Sequence, residues 1–187
     1  MVTGPATDTS FGPDTLSTGA FVDLVAPLFE RAPRFIARLA DGRPYGSWDA
    51  LLDGALVTAL GMPRDEQVEL IDAHPRIGAP PGSVSAHSFV EQGYDREAAT
   101  VVAEAERVRI GAELARLNEE YEARFGFRYV IFVAGRPRSA IVPLLEAALD
   151  ADPESERQRA LGDVIAIARD RARKGGAWPE QTTEVRR

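Results

Sequence analysis

Apolar residues recur at the spacing of an α-helix along most of the chain. In the first such stretch they stand at i, i+3, i+4 and i+7, as Phe21, Leu24, Val25 and Leu28. Similar stretches, separated by prolines, glycines and capping residues such as Ser47 and Ser85, predict eight helices. The predicted helices cover approximately residues 18–28, 33–39, 47–61, 63–73, 85–92, 95–124, 137–149 and 153–173.

One short run breaks the helical pattern. Residues 125–133 are rich in β-branched and aromatic side chains, which favour strands. No other run offers a partner strand, and a lone strand leaves its N–H and C=O groups unpaired. We therefore predict a buried extended segment near 127–133 that crosses a helical bundle. Its polar backbone groups need partners, which are either side chains and water or a polar ligand.

These elements predict an all-α protein. We expect a single-domain bundle of about seven to eight helices, because 187 residues are enough for one sizeable core and too few for two. Residues 1–14 are rich in Thr, Gly, Pro and Asp and are predicted to form a disordered tail. The predicted domain covers residues 15–174, and Gly175-Gly176 begins a flexible tail over 175–187.

Composition narrows the possible functions. The net charge of −7 disfavours nucleic acid as a partner, and no apolar run reaches the roughly 20 residues that span a membrane. The first residues do not resemble a secretory signal and the chain has no cysteine, so we predict a cytoplasmic protein. With two histidines, no cysteine and no glycine-rich phosphate loop, neither a metal nor another cofactor is predicted.

The candidate chemistry lies in residues 72–92, which hold both histidines of the protein. Pro75 directly follows His74 and restricts the backbone there. In the next predicted helix Ser88, Glu91 and Gln92 stand at i, i+3 and i+4, so a hydroxyl, a carboxylate and an amide share one face. An imidazole on a rigid loop facing these groups suits acid–base catalysis. A solvated loop followed by a polar helix start is the other interpretation.

Arg171 lies at the end of an apolar stripe on the last predicted helix, after Leu161, Val164 and Ala168. Such an arginine either extends to solvent, where the negative end of the helix dipole favours it, or lines a pocket. The pattern alone leaves both interpretations open.

Four groups of residues, in order along residues 18–173, resemble the 2-oxo-4-hydroxy-4-carboxy-5-ureidoimidazoline (OHCU) decarboxylase family. They are Ala73-His74-Pro75-Arg76-Ile77-Gly78, Ser88-x-x-Glu91-Gln92, Leu117-Asn118-x-x-Tyr121-x-x-x-Phe125-Gly126-Phe127, and Glu156 with Ala160-Leu161, Val164, Ile167 and Arg171. Each motif is short and weak by itself, but the ordered set is fairly specific.

The resemblance implies an all-helical enzyme that decarboxylates OHCU, a small anionic ureidoimidazoline, to (S)-allantoin in urate degradation. It also implies that the reaction needs no cofactor and that the protein forms a homodimer. In the family's pattern His74 is the catalytic acid–base group, Pro75 shapes its loop and Glu91 acts with the imidazole, either by setting its pKa and tautomer or by crowding the departing carboxylate.

The remaining site residues are implied in the same way. Arg171 is the third implied catalytic residue and pairs with an anionic or carbonyl oxygen of the substrate. Ser88 and Gln92 are implied to hydrogen-bond the substrate, and the backbone of Tyr129 and Val130 to line the pocket.

The chain departs from the family pattern at one place. Members commonly read Gly-Phe-Pro-Phe where this chain has Gly126-Phe127-Arg128-Tyr129. Loss of the proline is expected to loosen the backbone, and the tyrosine hydroxyl to add a polar group near the pocket. Two alternatives stay open: a paralogue that acts on a related small ureido or keto acid, and a non-catalytic helical ligand-binding module. In the second, His74 and Glu91 only cap and bridge helices.

The implied role of His74 predicts how the rate depends on pH, and the position of His74 in a loop predicts how much it contributes to packing. The rate should follow its ionisation near the ordinary histidine pKa of about 6.5, or higher if the Glu91 carboxylate is close. As a loop residue followed by proline, His74 is expected to contribute little to packing.

Overall fold

The computed structural model describes residues 12–96 and 101–174, and this part of the chain contains eight α-helices, several short 3-10 turns and no strand. The helices are α1 (Thr18–Val25), α2 (Pro33–Asp41), α3 (Trp48–Gly61), α4 (Arg64–Asp72), α5 (Ala86–Glu91), α6 (Val101–Phe125), α7 (Val142–Ala148) and α8 (Pro153–Lys174). The prediction of an all-α bundle is confirmed. None of these helices is both long and apolar enough to cross a membrane.

Serine side chains begin three of the helices. Ser17, Ser47 and Ser85 each accept a hydrogen bond from the backbone N–H three residues ahead, at 3.1–3.2 Å. Each bond satisfies one of the N–H groups that the start of a helix leaves unpaired. The predicted caps at Ser47 and Ser85 are therefore confirmed.

Prolines shorten two of the predicted helices. Helix α1 ends at Val25, and a 3-10 turn over Ala26–Phe29 replaces its predicted last turn, because Pro27 has no N–H for a continuing helix. The helix predicted over 137–149 is a 3-10 turn at Arg138–Ala140 followed by α7, with Pro143 in its first turn.

The predicted termini lie partly outside the described residues. The predicted start of the long helix near Asp95 is a 3-10 turn at Tyr94–Arg96, and residues 97–100 are outside the described part. Residues 1–11 and 175–187 of the predicted tails are outside it as well. Within the first predicted tail, Asp14 accepts a hydrogen bond from the backbone N–H of Tyr45 at 2.9 Å. The domain boundaries at 15 and 174 remain predictions.

Residues after α6 cross the bundle without helix or strand. Phe127, Tyr129, Val130 and Val133 are buried there. Side chains supply partners for the backbone at several points: Arg159 Nη1, for example, donates to the carbonyl oxygen of Val130 at 3.0 Å. The predicted buried extended segment is confirmed, and at this carbonyl the partner is a side chain rather than a ligand.

Helix α8 positions the functional residues. It packs against α3, α4 and the 3-10 turn that follows α1. Its buried face carries Leu161, Val164 and Ala168 and ends with Arg171. The apolar stripe seen in the sequence therefore leads from the core to the wall of a pocket.

Candidate active site

A cavity of about 200 Å³ lies between the α4–α5 loop, α5, the extended segment and the end of α8. Its lining includes all eight site residues that the sequence predicts: His74, Pro75, Ser88, Glu91, Gln92, Tyr129, Val130 and Arg171. Residues far apart in the sequence thus share one pocket, although their roles in the chemistry remain predictions. The described side chains include no group of three or more histidine, aspartate or glutamate residues placed to hold a metal ion.

His74 is buried, although it follows the last residue of α4 by only two positions. The residue is 3% exposed, and its Nδ1 lies 3.3 Å from the carbonyl oxygen of Leu70, one turn back in α4. The expectation that His74 contributes little to packing is wrong, because the chain at the end of α4 turns the ring inward.

The hydrogen bond to Leu70 assigns the tautomer of the His74 ring. Nδ1 carries the proton that the carbonyl oxygen accepts, so Nε2 has the lone pair in the neutral imidazole. Nε2 is buried and has no hydrogen-bond partner among the described residues, and the residue lines the pocket. A buried acceptor without a partner costs free energy, so its position in the pocket lining indicates a place for a donor on a ligand.

The electrostatic environment keeps this imidazole neutral. Burial, and then the positive charge of Arg171, lower the pKa of His74 from the ordinary 6.5 to about 4, against opposing effects of Glu30 and the Leu70 carbonyl. The expectation of a pKa near or above 6.5 is wrong, because the loss of hydration dominates.

Gln92 ties α5 to the His74 loop. Its Oε1 accepts a hydrogen bond from Gly78 N at 2.8 Å, and its Nε2 donates to Arg76 O at 3.3 Å. An amide nitrogen carries two N–H groups, and one of them donates to Arg76 O. The second N–H is therefore the group with which Gln92 can make its predicted contact with a substrate.

Two further side chains hold the backbone of the same loop. Asn118 Nδ2 donates to Ile77 O at 3.0 Å, and the Tyr94 hydroxyl donates to Ala79 O. The loop thus obtains hydrogen bonds from α6 and from the turn after α5, although it has no regular structure of its own. Such external partners make a loop rigid enough to carry a catalytic group.

Acceptors surround the guanidinium of Arg171, which is 3% exposed. Nε and Nη2 form a bidentate pair with Glu91 at 2.7 and 2.8 Å, and Nη2 also donates to Glu30 at 2.7 Å. Nη1 donates to the backbone oxygens of Pro27 and Leu28 at 3.1 and 3.2 Å. The interpretation in which Arg171 extends to solvent is wrong, because α8 packs on the turn after α1 and buries this end of its stripe.

These bonds engage all five N–H groups of the guanidinium. The predicted pairing of Arg171 with a substrate oxygen therefore requires one of the two carboxylates to move first. The Glu91 carboxylate is bound to Arg171, and the tautomer of His74 is set by the Leu70 carbonyl instead. The geometry thus does not support a role for Glu91 in setting the His74 tautomer.

Glu30 forms a largely buried cluster with Arg171, Glu91 and Ser88, although no pattern in the sequence points to it. It follows the 3-10 turn after α1 in a left-handed backbone conformation with φ of 48°. Its Oε1 accepts hydrogen bonds from the hydroxyls of Ser85 and Ser88 at 2.9 and 2.8 Å and from Arg171. Burial alone would raise the pKa of Glu30, but Arg171 and the two serines outweigh it and hold that pKa below its ordinary value.

Ser88 is correspondingly restricted as a ligand for substrate. Its one hydroxyl proton is donated to Glu30, and its oxygen also accepts from Arg171 at 3.2 Å. What remains for the predicted substrate contact is one lone pair, so Ser88 can accept a hydrogen bond but not donate one.

Tyr129 and Val130 form the opposite wall of the pocket. The Tyr129 ring meets that of Tyr121 edge-on at 5.1 Å, and the guanidinium of Arg159 lies 5.0 Å from its centre. Burial raises the pKa of the Tyr129 hydroxyl to about 12, so this group stays protonated.

A sequence model of a protein family, described as OHCU decarboxylase, matches residues 14–173. The match includes every residue of the pocket except Lys174. The chain belongs to the OHCU decarboxylase family. The resemblance of the sequence motifs to this family is thereby confirmed.

Individual OHCU decarboxylases are similar over most of their length. The one from Haloferax volcanii is 29% identical over 164 residues, which cover 82% of this chain and 87% of that protein. The one from Mus musculus is 28% identical over 158 residues, covering 83% and 85%. A crystal structure described as OHCU decarboxylase in the presence of (S)-allantoin matches with a TM-score of 0.63 at 19% identity, covering 83% of this chain and 98% of that one. At this identity the structural match shows a shared fold.

This OHCU decarboxylase family member has Arg128 where the family pattern has proline. The backbone N–H of Arg128 donates to Asp72 Oδ1 at 2.8 Å, a bond that proline cannot form. Its Nη1 donates to the carbonyl oxygens of Asp72 and His74 at 2.6 and 3.0 Å. These three bonds tie the segment to the end of α4 and oppose the expected loosening, which stays a prediction.

Proposed function

We propose that this protein decarboxylates OHCU to (S)-allantoin in urate degradation, with the pocket beside His74 as its active site. One observation carries the proposal: a buried neutral histidine lines a cavity with its Nε2 unpartnered among the described residues. Membership of the OHCU decarboxylase family supports the choice of substrate. The similar proteins of Haloferax volcanii and Mus musculus are named for the same reaction.

The substrate supplies its own electron sink. Its hydroxyl and carboxylate share one ring carbon, next to a ring C=N bond. When the bond to the carboxylate breaks, CO2 leaves and the released electron pair forms a C=C bond between the two ring carbons. The π pair of the C=N bond moves onto its nitrogen, which takes a proton from water. The resulting enol then becomes a carbonyl when its hydroxyl proton is lost and a proton is added at the neighbouring carbon. No pyridoxal, thiamine or metal is needed as an electron sink, so we propose a cofactor-independent reaction.

His74 is suited to the proton transfers of this scheme. Its neutral Nε2 accepts the hydroxyl proton as the enol becomes a carbonyl. The imidazolium formed in this way delivers the proton to the neighbouring carbon on the side of the ring that faces His74. A positioned general acid–base group contributes roughly 10²–10⁴-fold to a rate. One fixed imidazole also explains why a single enantiomer is expected.

Arg171 and the two carboxylates bonded to it act on the departing group in this scheme. Arg171 pairs with Glu30 at 2.7 Å and with Glu91 at 2.7 Å, so the three side chains together carry one net negative charge. This charge repels the carboxylate of a bound substrate, and the repulsion disappears when that group leaves as neutral CO2. We propose that Glu91, which lines the pocket, faces the departing carboxylate.

The proposal also covers the bounds of the catalytic domain, the compartment, the oligomeric state and the partners. The catalytic domain of this proposal spans residues 15–174, and the protein is a cytoplasmic homodimer. The lack of cysteine fits a reducing compartment, and the net charge of −7 fits a small-molecule enzyme rather than a nucleic-acid binder. Neither nucleic acid nor a membrane is a proposed partner.

The departure at Arg128 does not favour a different substrate. Arg128 bonds to backbone carbonyls and is not among the residues that line the pocket. The Tyr129 ring contacts Tyr121 and Arg159 and lines the pocket. Arg128 therefore offers no group to a substrate, and membership of the OHCU decarboxylase family makes OHCU the substrate we propose.

The product of the reaction should be optically active. When OHCU is generated from urate in the assay, the protein should accelerate allantoin formation and circular dichroism should show one enantiomer, because the substrate is held in one pose beside His74. Spontaneous decay in a sample without the protein gives the racemic reference. Activity should survive exhaustive treatment with a chelator. A racemic product at high protein concentration, or a requirement for added metal, would contradict the proposal.

The rate should be insensitive to pH around 6.5. Because the pKa of His74 is lowered to about 4, the neutral base predominates above that value and kcat/KM should fall only when the pH approaches 4. An inflection near pH 6.5 that follows the titration of His74 in an NMR experiment would contradict this prediction.

The lowered pKa of His74 also predicts how the free energy of unfolding depends on pH. In the unfolded chain His74 titrates near 6.5, so between 6.5 and about 4 the unfolded state binds more protons than the folded state. The contribution of His74 to the free energy of unfolding is therefore complete above pH 6.5 and falls as the pH drops toward 4. His74→Asn should remove this part of the pH dependence.

A further inference from the structure

We propose that Arg128 is a positioning residue for His74, which fixes the imidazole relative to the opposite wall of the pocket. The proposal deepens the proposed function, because its effect on rate presupposes that His74 is the acid–base group. It concerns a position where this chain differs from the common family pattern, so the role is built into this chain's own residues.

The contacts lie at the point where α4 ends. The last carbonyl groups of a helix have no partner within it. Arg128 Nη1 donates to the carbonyl oxygens of Asp72 and His74 at 2.6 and 3.0 Å, and its backbone N–H donates to the Asp72 carboxylate at 2.8 Å. A guanidinium at this end also complements the negative pole of the α4 dipole. Two hydrogen bonds therefore hold the backbone on both sides of Ala73, at residues 72 and 74, and the third ties the Asp72 side chain to the extended segment.

The imidazole depends on that backbone for its orientation. Among the described residues the ring makes one hydrogen bond, from Nδ1 to Leu70 O at 3.3 Å, so a shift of residue 74 would carry the ring with it. Arg128 directly precedes Tyr129 and Val130, which line the other wall of the cavity. It thus connects the two walls between which a substrate lies. A misplacement of about 1 Å at such a site can cost 10²-fold in rate.

Arg128 acts through geometry rather than through its charge. The charged groups that shift the pKa of His74 are Arg171 and Glu30, and Arg128 is not among them. A change in pKa is therefore not expected when Arg128 is replaced. A purely structural role, by contrast, predicts a loss of stability with an unchanged turnover number.

The experiment compares Arg128→Ala with Arg43→Ala. Arg43 is a matched control, because it is also half-buried and donates to two backbone carbonyls, Leu16 O at 2.8 Å and Ala40 O at 3.2 Å, but does not line the pocket. We expect both variants to lower the melting temperature. Arg128→Ala alone should lower kcat, by roughly 10- to 100-fold with KM nearly unchanged, and Arg128→Lys should recover part of the loss.

A second readout does not depend on the substrate. The protein has two histidines, and His87 is exposed, so the imidazole nitrogen resonances of His74 can be assigned by NMR. Arg128→Ala should shift the His74 resonances, whereas Arg43→Ala should leave them in place. If the wild-type protein failed to decarboxylate OHCU, the proposed function would fall while this readout still tested the positioning role. Unshifted His74 resonances in Arg128→Ala, or equal losses of kcat in both variants, would overturn the inference.

Discussion

Replacement of His74 by asparagine should lower kcat by roughly 10²–10⁴-fold, which is the contribution of a positioned general acid–base group. The asparagine amide can still donate to Leu70 O from the place of Nδ1, so the change removes Nε2 selectively. Since His74 is 3% exposed, the smaller side chain also leaves space at the pocket wall, and we expect a loss of about 1 kcal/mol in the free energy of unfolding. Steady-state kinetics and thermal unfolding measure the two effects.

His87→Asn is the matched control for this variant. His87 is the other histidine of the chain, lies on the exposed side of α5 and does not line the pocket. Its replacement should change neither kcat nor the melting temperature. If His74→Asn stayed folded at the assay temperature and kept near wild-type turnover, His74 would not be the acid–base group.

Replacement of Arg171 by methionine should destabilise the protein by about 3–5 kcal/mol, because it leaves two largely buried carboxylates without their cation. The side chains of Glu30 and Glu91 are 12% and 19% exposed. Activity should be lost as well, since the Glu91 carboxylate is no longer fixed at the pocket wall. Arg171→Lys should be a poor substitute, because a point charge cannot reproduce the bidentate pair and the bonds to Pro27 O and Leu28 O.

Acid should partly rescue the methionine variant. In the wild-type protein Arg171 helps to hold the pKa of Glu30 below its ordinary value, and without it burial raises that pKa. The variant should therefore regain stability relative to wild type as the pH falls and Glu30 becomes neutral. Arg169→Met is the control on the same helix, since Arg169 pairs with the exposed Asp53 at 2.7 Å and should cost little. Equal losses in the two variants would show that the buried cluster is not special.

Local pattern was sufficient to predict the elements of the fold. Helices depend on side chains three and four positions apart, and caps such as Ser47 and Ser85 act within one turn, so both can be read from neighbouring residues. The exceptions are also local: Pro27 and Pro143 mark the places where a 3-10 turn or a later start replaces a predicted helix. Because proline has no N–H group, Pro27 and Pro143 are enough to predict a shorter helix in both places.

The family motifs placed eight residues that the structure brings into one pocket, but they did not determine how those residues are bonded. Glu30 has no motif, because its link to Ser88 and Arg171 joins positions that are 58 and 141 residues away along the chain. For the same reason the pattern could not decide between solvent and pocket for Arg171.

The pKa of His74 shows most clearly what only the tertiary structure decided. The sequence predicts an imidazole beside a carboxylate and hence a pKa near or above 6.5, whereas the folded protein lowers it to about 4. The pKa falls because the ring loses its hydration and because α8 places the Arg171 guanidinium nearby. Neither cause is a property of residues 72–92. The types and order of the residues follow from the sequence, whereas burial and charge depend on the packing of distant helices.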